Sequence, residues 1–181
     1  MDAVDDGQKG RLGMFDKFGE FDSVEELNRA AAAQYKEGDE QAIYTIAQEN
    51  GIDKEDADDF MDGLVTELAT VTSAAIGKLK VEAADLKLKG IVADWKDSIV
   101  EECMSSQELC TAVRSKRKSL AECMAKLIRF AFENKVQISD KIVKVTKVTH
   151  NGKEEPFKGP LYLGVPSKAE VKRMVREYYL G

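Results

Sequence analysis

The chain reads as mainly α: a multi-helix domain with a minor C-terminal β-hairpin, an α+β arrangement being the alternative. Three observations predict this. Apolar residues recur at helical spacing behind capping residues from Ser23 to about Glu133. A β-branched run, KIVKVTKVT at residues 141–149, then breaks that period, and Asn151-Gly152 follows as a hairpin-turn signal. With 181 residues, 43% hydrophobic and 33% charged, the chain suits one folded domain with a small appendage rather than disorder.

The element order follows from these signals. Residues 1–12 read as a flexible leader and 13–63 as an acidic region of short helices. There Ser23 and Glu26 have capping-box spacing, Val24, Leu27 and Ala31 follow, and Gly38 offers a stop. A second helix starts near Asp39, presents Ile43, Ile46 and Ala47, and stops at Gly51; Asp53 caps a third with Ala57, Phe60, Met61 and Leu64. Helices this short need tertiary partners. Met14, Phe15, Phe18 and Phe21 precede them as core-covering residues, with partner anchors the alternative.

Residues 64–135 form the expected central helical core. One helix is predicted from about Leu64 to Leu88, although Gly77 weakens the expectation that it runs unbroken. Another carries Trp95, Ile99 and Cys103 at four-residue intervals. Ser105 and Glu108 then predict a capped long helix reaching Glu133, with Leu109, Val113, Leu120, Met124, Leu127 and Ala131 inward. On its far side fall Arg114, Lys118, Lys126 and Arg129, with Arg117 at the boundary and Lys116 within the apolar arc. Residues 136–181 supply the hairpin, whose return strand involves Phe157 and Leu161–Leu163 and is kept short and peripheral by Pro156 and Pro160, and a basic terminal helix capped by Ser167 and Glu170.

Charge divides the chain. Residues 1–70 hold nineteen acids and six bases, −13; residues 71–181 hold fourteen acids and twenty-one bases, +7. Such a split either folds the two segments against one another or lets each meet a different surface. The acidic partner-binding candidates are Asp53, Glu55, Asp56, Asp58, Asp59 and Asp62, a set able to mimic phosphates toward a basic groove. The basic partner or nucleic-acid candidates are Arg114, Arg117, Lys118, Lys126 and Arg129 centrally, and Lys168, Lys172, Arg173 and Arg176 in the terminal helix. Either set is equally readable as a solvated helix face.

Other chemistries find little purchase. The Asp53–Asp62 acids fail the EF-hand pattern because Asp58 stands where the loop needs glycine. Cys103, Cys110 and Cys123 lack zinc-site spacing and read as small, partly buried thiols; His150, beside a turn, reads as a surface side chain. The central acids Asp94, Asp97, Glu101 and Glu102 do not by themselves define a metal-dependent nucleic-acid enzyme, which stays a disfavoured alternative. No Walker loop or GxSxG elbow is present, and the hairpin with its terminal helix lacks an RRM aromatic signature, a GXXG clamp and a zinc-finger ligand set. No cofactor and no metal are expected. The first ten residues, MDAVDDGQKG, are the reverse of a secretory leader, and no apolar run reaches the roughly 18–20 residues of a membrane span.

The front segment GRLGMFDKFGEFDSVEELNRAAAAQYKEGDEQAIYTIAQENGIDKEDADDFMDG (residues 10–63) and the tail GPLYLGVPSKAEVKRMVREYYLG resemble small proteins of phages and mobile elements of gut Firmicutes. Within that setting, length and organisation resemble the type II-A anti-CRISPR inhibitors of Cas9. The resemblance implies a non-enzymatic protein of the infected bacterial cytoplasm. It would bind Cas9 or its guide-RNA complex, with or without direct DNA or RNA contact, and block DNA recognition or cleavage. A DNA-binding regulatory or maintenance protein of a mobile element is the alternative.

Overall fold

The computed structural model describes residues 14–181, so the expected leader at residues 1–12 lies outside the described residues. Helix α1 (Val24–Glu37) starts where Ser23 Oγ accepts the Glu26 N–H at 3.1 Å. The Glu26 carboxylate turns back to the N–H of Asp22, one residue before the cap. Gly38, with φ 73°, ends the helix in the left-handed conformation that glycine adopts freely. Helix α2 (Glu40–Glu49) is capped by Asp39, which accepts the Ala42 N–H at 2.9 Å. Helix α3 (Lys54–Met61) follows Asp53, whose side chain makes no cap bond and instead holds Lys80 at 2.7 Å. The apolar faces of the three helices bury Leu27, Ala31, Ile43, Ile46, Ala57 and Phe60 in one cluster, which also takes in Leu68 and Ala69.

The helix expected from Leu64 begins only at Val71. Thr70 and Ser73 form a reciprocal capping box there, and Leu64 is left exposed. Helix α4 (Val71–Asp85) runs unbroken through Gly77 and is the wall shared by the two halves. Ala74 packs into the front cluster, and Ala75 and Leu79 into a second. That second core is completed by α5 (Ile91–Ser105), α6 (Gln107–Arg114) and α7 (Leu120–Glu133). Trp95, Ile99 and Cys103 enter it from α5, as their spacing predicts. All three cysteines are buried free thiols, and burial pushes those of Cys103 and Cys123 up to about 12.

The predicted long helix from Ser105 to Glu133 is two helices. Ser105 closes α5, Ser106 caps α6 by accepting the Leu109 N–H, and the chain breaks over Ser115–Ser119. Lys78 supplies the reason. Its ammonium, only 1% exposed, donates to the Ser115 and Lys118 carbonyl oxygens at 2.6 and 2.7 Å, satisfying acceptors that a continuous helix would have used internally. Ser119 then restarts the helix by accepting the Glu122 N–H. Lys116, assigned to the apolar arc of a continuous helix, is exposed in this break.

Beyond α7 come β1 (Val136–Gln137), a single helical turn α8 (Asp140–Val143), β2 (Lys147–His150), β3 (Lys153–Pro156), β4 (Tyr162–Leu163) and α9 (Lys168–Leu180). The Asn151-Gly152 turn does close a hairpin: both residues have positive φ, and Lys147 to His150 pair antiparallel with Pro156 to Lys153. The expected partners differ, however. Residues 140–143 are helical, and Tyr162–Leu163 pairs with Val136–Gln137 as a separate ribbon. Helix α9, with the expected Ser167–Glu170 box, buries Val171, Val175, Tyr178 and Tyr179 in the second core.

Candidate interaction surfaces

The two halves meet through buried charge. Residues 17–22 lie along the seam. Glu49, buried at the end of α2, accepts the Lys17 and Phe18 N–H groups, and Asp22 accepts from Ser115 Oγ and the Lys116 N–H at 3.1 Å each. Those two bonds from residues 115 and 116 hold the Asp22 carboxyl below its usual range, Ser115 contributing most. Glu20 approaches Lys78 to 2.6 Å, an ion pair without hydrogen-bond alignment. Glu82 receives the Leu120 N–H at 3.3 Å, and burial, only partly offset by Lys78, raises its carboxyl to about 7.

Arg114 belongs to this seam, which corrects its expected outward position. Its guanidinium is 1% exposed and donates through Nη2 to Asn50 Oδ1 at 3.0 Å. Leu109 and Val113 of α6 face the second core, and Arg114, beside Val113, is covered by Asn50 of the front half. Nε and Nη1 have no hydrogen-bond partner among the described residues. A buried side chain cannot serve as a contact, so Arg114 leaves the basic set.

The remaining basic candidates split. Lys118 donates to the carbonyl oxygens of Tyr178 and Gly181, closing the end of α9. Lys126 is exposed, 5.7 Å over the Tyr178 ring, and Arg117 is exposed without an acidic partner among the described residues. Arg129 pairs with Glu133 at 2.7 Å. On α9, Lys168 holds Glu101, Lys172 and Arg176 reach Glu102, and Arg173 pairs with Glu177. Two of the central acids are therefore tethers between α5 and α9. Among the described residues, no group of three or more His, Cys, Asp or Glu side chains is placed to hold a metal ion.

The acidic set is arranged differently. Ala57 and Phe60 anchor α3 in the front core. On the side away from them, Glu55, Asp59 and Asp62 stand exposed at successive turns, with Asp56 on one flank. These four have no cationic partner among the described residues, whereas Asp53 holds Lys80 and Asp58 holds Lys54 at 2.7 Å. Tyr44 also donates to Asp58 at 2.5 Å, and the bonds from Lys54 and Tyr44 keep the Asp58 carboxyl below its usual range. Glu55 and Asp59 are like charges four residues apart, and Asp59 and Asp62 crowd a helix C-terminus that favours cations; no base occupies that last turn. Asp59 and Asp62 therefore lower the helix's own stability, whereas Glu55 and Asp56 in its first turn favour it.

Between α2, the start of α3 and α4 lies a cleft of about 560 Å³. Sequence reading missed it, because its walls come from helices whose separation depends on one backbone crossing. Gly51 and Gly77 touch there so closely that a Cβ on either would overlap the other segment. The two glycines were the available signal.

No known protein family matches this chain, and neither a curated protein nor a solved structure is significantly similar to it. Fold and surface define a mainly α-helical protein whose α3 carries an exposed acidic face without cationic partners among the described residues. No helix among the described residues is long and apolar enough to cross a membrane.

Proposed function

We propose that this chain is a non-enzymatic inhibitor that binds Cas9 or its guide-RNA complex and blocks DNA recognition or cleavage. Its acidic α3 face is the part that enters a basic, nucleic-acid-handling groove. One observation carries the reading: Glu55, Asp56, Asp59 and Asp62 are exposed and unpaired among the described residues, while most basic candidates are engaged within the fold. Carboxylates fixed on a helix imitate a phosphate row without a backbone that can be cut. Cas9-type proteins hold their heteroduplex in a positive channel and read the adjacent motif with basic side chains, so such a row has a complementary surface to meet.

The test is cleavage by guide-loaded Cas9 with and without the protein, followed by binding measurements that separate loss of guide loading from loss of DNA engagement. Inhibition at stoichiometric protein is expected; unimpaired cleavage with folded protein in excess, and no complex, refutes the reading. Direct DNA binding is the second reading. It is favoured by Arg117, Lys126, Lys141, Lys144, Lys153 and Lys158, exposed and without acidic partners among the described residues. It requires affinity for duplex DNA alone that falls steeply with salt.

A further inference from the structure

We infer that the cleft between α2, α3 and α4 receives one apolar side chain from a basic segment of a protein partner. The inference rests on the acidic-face reading of function and deepens it, assigning the partner an apolar anchor among its basic residues.

The cleft is built to be lasting. The Gly51–Gly77 crossing fixes the end of α2 against the middle of α4, so the gap beside it cannot close by collapse of the two helices. Ala47, Ile52, Val81 and Ala84 give it an apolar lining, and Tyr44 adds an aromatic wall. A volume of about 560 Å³ exceeds what a leucine, phenylalanine or tryptophan side chain needs.

Charge decides what carries that side chain. Both lysines on the lining, Lys54 and Lys80, are held by acids, Asp58 and Asp53, at 2.7 Å each. They present no free cation to a phosphate or a carboxylate. Going round α3 from Lys54 and Asp58, the next side chains are Glu55, Asp59 and Asp62, all exposed and unpaired among the described residues. A nucleic acid inserting a base would bring its phosphates against those carboxylates. A peptide segment rich in lysine or arginine instead gains attraction on the rim while its apolar residue is desolvated, the arrangement of a buried anchor inside a polar surround.

The experiment uses the folded chain and a fluorescein-labelled, lysine-rich helical dodecapeptide with one central leucine, beside a twin with alanine there. The leucine probe should bind about ten-fold more tightly than its twin. Ala84→Phe, at an exposed position on the cleft wall, should erase that difference, as should Gln48→Trp from the opposite wall if the first variant is unstable. Glu55→Lys with Asp59→Lys should weaken both probes alike. Equal affinity for the two probes overturns the inference, and so does a leucine advantage that survives both filling variants. Displacement of the leucine probe by a thymidine oligomer, abolished by the filling variants, also overturns it by making nucleic acid the occupant. Failure of the cleft alone leaves inhibition by the wild-type chain intact; absence of Cas9 inhibition with a persistent leucine advantage removes only the target.

Discussion

Arg114 Nη2 lies 3.0 Å from the side-chain oxygen of Asn50, so a residue of the positive half of the sequence is spent inside the junction with the negative half. Glu20 and Glu82 are the acids that most favour its charge there. Truncation to alanine should cost about 3–5 kcal/mol, because it empties a buried volume and strips those carboxylates of a counter-charge. Arg114→Met refills the volume and removes two unpaired donors, so it should be milder by about 1 kcal/mol or more. Urea unfolding of both variants at pH 7 checks the order.

Glu82 makes the same junction sensitive to pH. Its carboxyl is raised from 4.5 to about 7 by burial, so between those values the folded chain holds a proton that the unfolded chain releases. Stability is therefore fullest below about pH 4.5 for this group and falls as pH rises through about 7. Asp22 and Asp58 are shifted downward and act at lower pH, outside this window. Glu82→Gln, which resembles the protonated acid, should flatten the decline between pH 5 and 8. At pH 8 it should be more stable than wild type, by up to about 3 kcal/mol. Thermal unfolding across that range would show an unchanged slope if the assignment is wrong.

Gly77 should tolerate no side chain. In an ordinary helix, glycine to alanine gains about 1 kcal/mol. Here the added methyl would overlap the Asn50 carbonyl oxygen, a backbone atom that no rotamer change can move. Gly77→Ala is expected to lose at least about 2 kcal/mol net, and to raise amide exchange in α2 and α3 more than in α5 and α9. Uniform exchange across both halves would contradict the crossing.

What the sequence made legible follows the range of each signal. The caps at Ser23 and Ser167, the helix start near Asp39, the Trp95 stripe and the Asn151-Gly152 turn are set by residues within a few positions, and each formed; the Asp53 cap did not. Helical periodicity could not place the break before Leu120. The 3.6-residue phase stays coherent across it, and Lys78, which stabilises the break, is some forty residues away. Ser119 followed by Glu122 was a local clue, the same spacing that located the other starts. Arg114 was placed outward because the residue that covers it, Asn50, lies sixty-four positions away. The exposure of Glu55, Asp56, Asp59 and Asp62 was legible because Ala57 and Phe60, within α3 itself, mark its buried face. The ion pairs that occupy the α9 bases with Glu101 and Glu102 join elements 67 to 74 positions apart, beyond any pattern in one segment.

The β2–β3 hairpin should be dispensable for folding. Every residue of both strands is exposed. The Phe157 N–H meets the Thr146 carbonyl oxygen at 2.9 Å, so the two ends of the excised stretch are already adjacent. Replacing residues 147–156 with a short glycine linker should move Tm by no more than about 2–4 °C, the equivalent of about 1 kcal/mol at this chain length. A larger drop would mean that the hairpin braces α7 or α9. Of the bases named for the direct-DNA reading only Lys153 lies in the excised stretch, which carries as many acids as lysines, so the shortened chain should keep most of any duplex affinity.

Charge reversal separates the faces that the split in the sequence left undivided. Glu55→Lys, Asp59→Lys and Asp62→Lys together replace three exposed carboxylates that repel one another; the gain from removing Asp59 and Asp62 at the end of α3 offsets the loss of Glu55 from its first turn. Folding should be unharmed, within about 0.5 kcal/mol or slightly improved. Inhibition of guide-loaded Cas9 should weaken at least about ten-fold, since each reversal replaces attraction by repulsion at a basic surface. Lys168→Glu with Lys172→Glu faces the opposite way. Those bases already spend their charge on Glu101 and Glu102, so the pair should lower stability by about 1 kcal/mol or less and leave inhibition nearly unchanged. The comparison is read at two salt concentrations, because a contact made by the α3 carboxylates weakens as salt rises while the triple variant has little left to screen. Equal loss from both sets would point to a general dependence on folding, and loss only from the α9 pair would move the binding face to the other side of the molecule.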